Sequence, residues 1–334
     1  MSDRPIVLMM TTMGESGMGP LREGAEVRMA PSVDPAVLRP LIQNADGLIL
    51  RTAGRVDAAL LDAAPRLKVV GRHGVGFDHI DIDAATERGI QVVSTPGANT
   101  ESVVEHTLAM MIGLSKHFNQ QTRALAEGRY HERTKFAGRN IRGRSLGIVG
   151  FGRIGKRVGE VCHQAFGMSV KYCDIVDMPE EAERRAGAVR AEFDEVLAAS
   201  EYVTLHVPLD ASTRRMIDAR ALGHMRPDAI LINTCRGPVV DERAVADALE
   251  AGRLYGYGAD VYEVEPPPAD HPLVGRTDNV LLTPHSAAQT GESLANMARW
   301  VAEDVLRVLR GEPPVYPVND PAVVARVRAR LNGR

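Results

Sequence analysis

The sequence predicts an α/β protein built from two doubly wound parallel sheets, and three observations carry that expectation. Short apolar runs alternate with helical stretches through the first hundred residues. A three-glycine turn, Gly150-Phe151-Gly152-Arg153-Ile154-Gly155, then separates an apolar run ending at Val149 from a helical stretch. Beyond it, a second series of short apolar runs extends to about residue 283. Such alternation implies parallel strands whose crossover helices cover both faces of a sheet.

Residues 6–10 form the first strand candidate. Residues 35–44 read as a helix ending before a strand at 47–50, and 56–64 as a second helix, closed by Pro65 and followed by a strand at 67–70. A third helix at 82–88 stops at Gly89, ahead of a strand at 90–93. The turn-rich stretch Ser94-Thr95-Pro96-Gly97-Ala98-Asn99 breaks the pattern, and a long helix is expected from about 101 to 127. Alternation resumes at 145, with further strands expected at 170–173, 189–191, 202–207, 230–234, 256–260 and 280–283. These suffice for a complete Rossmann-type sheet. After Pro284 one helix, at about 291–310, precedes a Pro-rich tail. One helix cannot bury a core alone, so this segment is expected to fold back onto the first hundred residues. The expected domains are therefore 1–98 plus 289–334, and 99–288 inserted between those parts. Two crossings between domains imply a cleft, a favoured place for a ligand.

At 334 residues the chain has room for two such domains, and 44% apolar with 25% charged residues is ordinary for a globular protein. A net charge of −3 recommends neither nucleic acid nor an anionic membrane as a partner. Cys162, Cys173 and Cys235 make neither a disulfide framework nor a C-x-x-C motif, which fits a reducing cytosol. The run at 6–10 is too brief for a signal segment or a membrane span, so a cytoplasmic location is expected. Only five of the 40 basic residues are lysines, so an arginine signals something only inside a motif.

The glycine turn is such a motif. Gly150 permits a tight turn, Gly152 lets backbone approach a pyrophosphate, and Gly155 lets helix and strand pack closely. The helix start at Arg153 and Ile154 turns its N–H groups towards the phosphates. Asp174 follows the next strand, 174 − 155 = 19 residues beyond the last glycine, near the spacing of an acid that grips ribose hydroxyls. A carboxylate there repels a 2′-phosphate, and Ile175 and Val176 follow it with no arginine to pair one. NAD rather than NADP is the expected cofactor.

With these motifs in order, the chain resembles the D-2-hydroxyacid dehydrogenase family, which includes D-3-phosphoglycerate dehydrogenase, glyoxylate/hydroxypyruvate reductase and formate dehydrogenase. The resemblance spans nearly the whole chain. It rests on Gly74-Val75-Gly76-Phe77-Asp78-His79-Ile80-Asp81, the glycine turn with Asp174, and His206-Val207-Pro208-Leu209. It continues through Asn233-Thr234-Cys235-Arg236-Gly237, Asp260-Val261-Tyr262-Glu263-Val264-Glu265-Pro266 and Thr283-Pro284-His285. It implies the inserted-domain fold, and homodimers formed through the region of the long helix. The apolar side chains Val104, Leu108, Met111 and Leu114 suggest pairing there, although packing on their own sheet would use part of the same stripe.

Arg236 directly follows a strand, at the edge where open α/β sheets bind ligands, and a guanidinium can hold a carboxylate by two parallel hydrogen bonds. His285 follows Pro284 at another strand end, where an imidazole could move a proton to or from a substrate oxygen. Glu265 would bond and orient that imidazole. Arg236, Glu265 and His285 are thus the expected catalytic residues. The resemblance places Asp260 against the nicotinamide carboxamide, with Thr234, Cys235, Ala287 and Ala288 lining that side. His206 and Pro208 would border the adenine. Val75 and Gly76 sit in a turn whose N–H groups could receive the substrate carboxylate together with Arg236, and Arg72 and His73 flank it. Family members often place glycine two or three residues after the catalytic histidine, whereas Ser286, Ala287 and Ala288 stand here. A thiol at Cys235 predicts sensitivity to alkylation.

The expected reaction is reversible hydride transfer between NAD(H) and C2 of a D-2-hydroxy or 2-keto acid. No metal is expected, since the ten histidines show no ligand spacing. An NAD(H)-sensing regulatory protein on the same fold is the rival from another class, because some members act as corepressors. Formate dehydrogenases place Gln where Glu265 stands, which argues against that activity. No segment beyond residue 334 suggests the regulatory domain of some phosphoglycerate dehydrogenases, so serine feedback is not expected.

Overall fold

The computed structural model describes residues 4–333. The chain divides into two compact units, one comprising the described residues up to Asn99 and from Gln289 onward, the other Thr100–Ala288.

The first unit opens with β1 (Ile6–Met9), α1 (Glu15–Gly24), β2 (Glu26–Met29), α2 (Pro35–Ile42), β3 (Gly47–Leu50), α3 (Ala58–Asp62), β4 (Val69–Arg72), α4 (Ile82–Glu87) and β5 (Gln91–Val93). Its five strands pair in parallel in the order β2-β1-β3-β4-β5. The central strands read as unbroken apolar runs because both their faces are covered, and all of β3 is buried. Aspartates start the helices: Asp34, Asp57 and Asp81 accept bonds from the N–H groups of Ala36, Leu60 and Ala84. Sequence reading passed over α1 and β2. The glycines and proline in α1 argue against a helix, yet they serve packing. A Cβ at Gly17 would overlap the carbonyl of Ala298, and one at Gly24 would overlap Leu306.

The second unit holds α5 (Thr100–Ser115), α6 (Phe118–Ala126), β6 (Ser145–Val149), α7 (Arg153–Phe166), β7 (Ser169–Cys173), α8 (Glu180–Ala186) and β8 (Ala188–Arg190). It continues with α9 (Phe193–Ala199), β9 (Tyr202–Leu205), α10 (Ala219–His224), β10 (Ile230–Asn233), α11 (Glu242–Glu250), β11 (Gly256–Ala259) and β12 (Val280–Leu282). All seven strands are parallel, in the order β12-β11-β10-β9-β6-β7-β8. Chain direction across the sheet reverses between β6 and β9. That is the switch point where open α/β sheets bind ligands, beyond the carboxyl ends of the strands.

The single helix expected over 101–127 is two helices. His117 takes a left-handed conformation (φ 55°) between them and bonds the Tyr255 hydroxyl at 3.0 Å. The stripe read as a pairing surface also proves internal. Val104, Met111 and Leu114 are buried and Leu108 packs against the same core, facing the unit's own sheet.

Returning to the first unit, α12 (Gly291–Leu309) starts at Thr290, which accepts a bond from Ser293 N, and buries Val301 and Val305 over β4. Gly71 in β4 makes room: a Cβ there would overlap both valines. The Pro-rich tail contains a further helix, α13 (Pro321–Asn332), with Asp320 as its N-cap and Pro321 in its first turn. Among the described residues no helix is long and apolar enough to cross a membrane.

Candidate active site

The turn after β6 is set by steric limits. Gly150 has φ 92°, and a Cβ on it would press on the carbonyl of His206 at 2.7 Å. A Cβ on Gly155 would overlap the carbonyl of Gly150. Both glycines are thus required by the protein itself. Gly152 differs, since a Cβ there would meet no protein atom within 4 Å. It is also the N-cap of α7 and makes no side-chain cap bond, so no side chain of its own covers the helix start. Open space over uncapped N–H groups fits a pyrophosphate. Arg153 stands exposed at the first helical position, and Ile154 packs half-buried against the core.

Asp174, half-buried at the end of β7, accepts bonds from Phe151 N at 2.6 Å and Val176 N at 2.9 Å. Its carboxylate thereby ties the glycine turn to β7. Ile175 and Val176 follow Asp174, yet an arginine stands nearby in space. Arg190, at the end of neighbouring β8, donates to the Asp174 carbonyl at 2.8 Å and pairs with Asp177. Strand pairing brings it there, and linear spacing hid it. At the end of β9, His206 is half-buried, and both its ring nitrogens are enclosed without a partner. Burial pushes its pKa down to about 3, so it is a neutral wall. Pro208 beside it is exposed.

At the other end of the sheet, segments following β10, β11 and β12 interlock. Arg236 leaves β10 after Thr234 and Cys235, both buried, and its guanidinium donates to the Cys235 carbonyl at 2.6 Å. Thr234 meets the hydroxyl of Thr107 at 3.1 Å. A Cβ on Gly237 would coincide with the Tyr262 backbone, so the turn bearing Arg236 lies directly on the segment leading to Glu265. Glu265 accepts from Tyr262 N at 3.1 Å and from Nδ1 of His285 at 2.7 Å. Burial raises the Glu265 pKa, but the His285 bond and charge, the Tyr262 N–H and the Arg236 charge outweigh it and hold the group below the ordinary carboxylate range. Ionised Glu265 accepts Nδ1–H, which leaves Nε2 of His285 to exchange a proton. His285 takes φ 51°, a left-handed strain of the kind that gathers at functional sites.

Asp260 is buried, and its carboxylate accepts from Thr283 Oγ1 at 2.5 Å, Ser286 N at 2.7 Å and Ala287 N at 2.8 Å. These bonds lock the turn carrying His285, Ala287 and Ala288. His106, which the motifs did not single out, bonds Thr283 Oγ1 at 2.9 Å from α5. Burial pushes the Cys235 thiol up to about 11, against the sensitivity to alkylation expected of it.

In the first unit, Val75 and Gly76 are half-exposed in the turn after β4. Arg72 is buried and donates to Gly76 O at 2.7 Å and to His73 O. His73 is buried, lacks a ring partner and is lowered to about 4, first by burial and then by the Arg51 charge.

A family model for the NAD binding domain of D-isomer specific 2-hydroxyacid dehydrogenases matches residues 108–287. The chain belongs to the D-isomer specific 2-hydroxyacid dehydrogenase family. It thus carries this family's NAD-binding domain. Among its relatives is a D-3-phosphoglycerate dehydrogenase of Archaeoglobus fulgidus, 38% identical over 95% of this chain. The chain spans 60% of that relative's length. A glyoxylate reductase of Korarchaeum cryptofilum is 35% identical over 97% of this chain and 98% of its own. A solved structure from Thermus thermophilus superposes with a TM-score of 0.87 at 35% identity, covering 94% of this chain and all of that one. That likeness to a solved structure agrees with the two parallel sheets described above.

Proposed function

We propose that this chain is an NAD-dependent D-2-hydroxyacid dehydrogenase, with substrate binding assigned to 1–98 plus 289–334 and cofactor binding to 99–288. The observation that carries the reading is the 2.7 Å bond between Nδ1 of His285 and ionised Glu265, within reach of the Arg236 charge. Val75 and Gly76 would join Arg236 in receiving the substrate carboxylate, which fixes the neighbouring carbonyl. When bound, the nicotinamide supplies hydride to C2 of the keto acid or takes it back from the hydroxy acid. In reduction, His285 gives its Nε2 proton to the carbonyl oxygen and regains one from solvent. In oxidation it takes the hydroxyl proton. Glu265 stabilises the charged ring and fixes its orientation. Gly150, Gly152, Arg153, Ile154, Gly155 and Asp174 would hold the pyrophosphate and ribose, with His206 and Pro208 beside the adenine. Thr234, Cys235 and the segment through Ala287 and Ala288 would back the nicotinamide, with Asp260 against its carboxamide.

We place the protein in the cytoplasm, consistent with three free cysteines. We read it as a homodimer, with the contact moved from the buried stripe of α5 to exposed Phe118, Leu125 and Tyr130 on α6 and the turn beyond it. Sedimentation as a monomer at micromolar concentration would remove that assembly.

The deciding experiment is steady-state kinetics with NADH and NADPH on glyoxylate, hydroxypyruvate, phosphohydroxypyruvate and branched 2-keto acids. The expected result is turnover of at least one acid, faster with NADH. Tight NADH binding without turnover of any of them would favour a sensor.

A further inference from the structure

Glu265 rides on a long irregular segment, residues 260–279, between β11 and β12, and the stretch around it is exposed. Such a loop needs an anchor if its carboxylate is to meet His285 within hydrogen-bond distance. The structure supplies one beneath it. Glu242, at the first position of α11, is buried. Its Oε2 lies 2.8 Å from Nε2 of buried His271, and its Oε1 accepts from Glu263 N at 3.1 Å. Nδ1 of His271 faces Leu273 N at 3.3 Å, which makes Nδ1 the acceptor and Nε2–H the donor to Glu242. The His271 ring meets Tyr262 edge to face at 5.7 Å, and the Tyr262 hydroxyl donates to the Thr283 carbonyl at 2.9 Å.

Glu265 therefore sits between two points, Glu263 and His271, that one buried carboxylate grips. Burying a charge there is costly unless every acceptor is used. Two donors converge on Glu242, and only a carboxylate offers an acceptor oxygen to each. An amide of the same size would set its N–H₂ against one of them.

We propose that Glu242 and His271 form a positioning pair that holds the Glu265 loop in register with His285. The pair touches no reacting atom. It acts through Glu265, so the proposal builds on the catalytic reading above.

The test is a pH titration of the His285 ring by NMR of histidine-labelled protein, its resonance assigned with His285→Asn. Glu265 faces that ring from its loop, the Arg236 charge acts on Glu265 from the end of β10, and Asp260 holds the turn beneath from the end of β11. Glu265→Gln should move the His285 midpoint. Glu242→Gln should move it in the same direction, and the double variant should move it no further than Glu265→Gln alone. His271→Leu should behave like Glu242→Gln, whereas His271→Gln keeps an N–H donor and should stay near the wild-type midpoint. In turnover, Glu242→Gln should lower kcat by about tenfold or more with NADH affinity kept, as a displaced catalytic group requires. A wild-type midpoint in folded Glu242→Gln and His271→Leu, or shifts that add to that of Glu265→Gln, would overturn the pair's role. The titration needs no turnover, so a failure of the dehydrogenase reading would appear separately, as inactivity of the wild type.

Discussion

The turn after β6 and the ends of β10, β11 and β12 lie on one sheet edge, yet they are held in different ways. The first is made of backbone. Gly150 and Gly155 are squeezed by their neighbours, Gly152 opens onto empty space, and Asp174 closes the turn from the next strand. All of it falls within one βαβ unit. The second is made of side chains from separate segments. Arg236 leans on Tyr262 through Gly237, Glu265 reaches His285, and Asp260 locks the turn from Thr283 to Ala287. A local motif can build a cradle for phosphate, whereas placing a proton donor takes contacts among three loops.

The contrast is broken most severely at the second end. His285→Asn should lower kcat by about 10²- to 10⁴-fold, the range typical of a lost general acid. Arg236→Ala should act on the keto acid with a loss of similar order, while both variants keep NADH affinity in a fluorescence titration. An Arg236→Ala enzyme with wild-type kcat/KM would remove the carboxylate clamp.

Glycine substitutions separate the two ends more finely. Gly237→Ala drives a methyl into the Tyr262 backbone, an overpacking that costs about 1–3 kcal/mol and displaces the Glu265 segment. A lowered melting temperature and a lowered kcat are expected together. Gly152→Ala places its methyl where no protein atom stands, so stability should change by no more than about 0.5 kcal/mol. Its NAD affinity should fall, read as a raised dinucleotide Kd. Should Gly152→Ala melt early, or bind NAD unchanged, the space over α7 is not a phosphate site.

The same contrast explains what the sequence disclosed. The glycine turn and Asp174 were legible because spacing along one short stretch carries the geometry. Most strands were legible because parallel strands covered on both faces are unbroken apolar runs. What was missed depends on partners distant in the chain. The glycines of α1 make sense only against Ala298 and Leu306, and α13 hid behind the prolines before it although Asp320-Pro321 is a helix start. Arg236, Glu265 and His285 were found through the family resemblance, since a strand-end arginine and histidine alone are commonplace. The internal bonds of Asp260, the contact of His106 with Thr283 and the Glu242–His271 pair leave no mark in local spacing.

Arg190 sharpens the comparison at the cradle. It lies against the carbonyl of Asp174, the acid proposed to meet the ribose, and its charge is partly spent on Asp177. Asp174→Ser removes the repulsion and leaves a guanidinium that can accept the phosphate. The NADP-to-NAD ratio of kcat/KM should rise by about tenfold or more, since an ion-paired hydrogen bond is worth about 1.5–3 kcal/mol. Adding Arg190→Ala should return the ratio towards its starting value. A rise that survives the second substitution would place the phosphate elsewhere.

The smallest effect is expected at Cys235, where sequence and structure disagree about reactivity. Beside Arg236, a thiol looks open to alkylation. Its side chain is buried, and that burial outweighs the backbone N–H and the Arg236 charge that favour the thiolate, leaving the pKa at about 11. The thiolate is the reactive form. At pH 8 it should make up on the order of 10⁻³ of the thiol, against about a quarter for an ordinary cysteine of pKa 8.5. Iodoacetamide at pH 8 should therefore leave activity almost unchanged over an hour that fully alkylates glutathione. The rate should climb about tenfold for each pH unit towards 11, because the thiolate fraction does. Cys235→Ser should match the wild type in kcat. Rapid inactivation at pH 7, protected by NAD and absent in Cys235→Ser, would show an exposed, activated thiol, and the buried backing drawn here for the end of β10 would have to open.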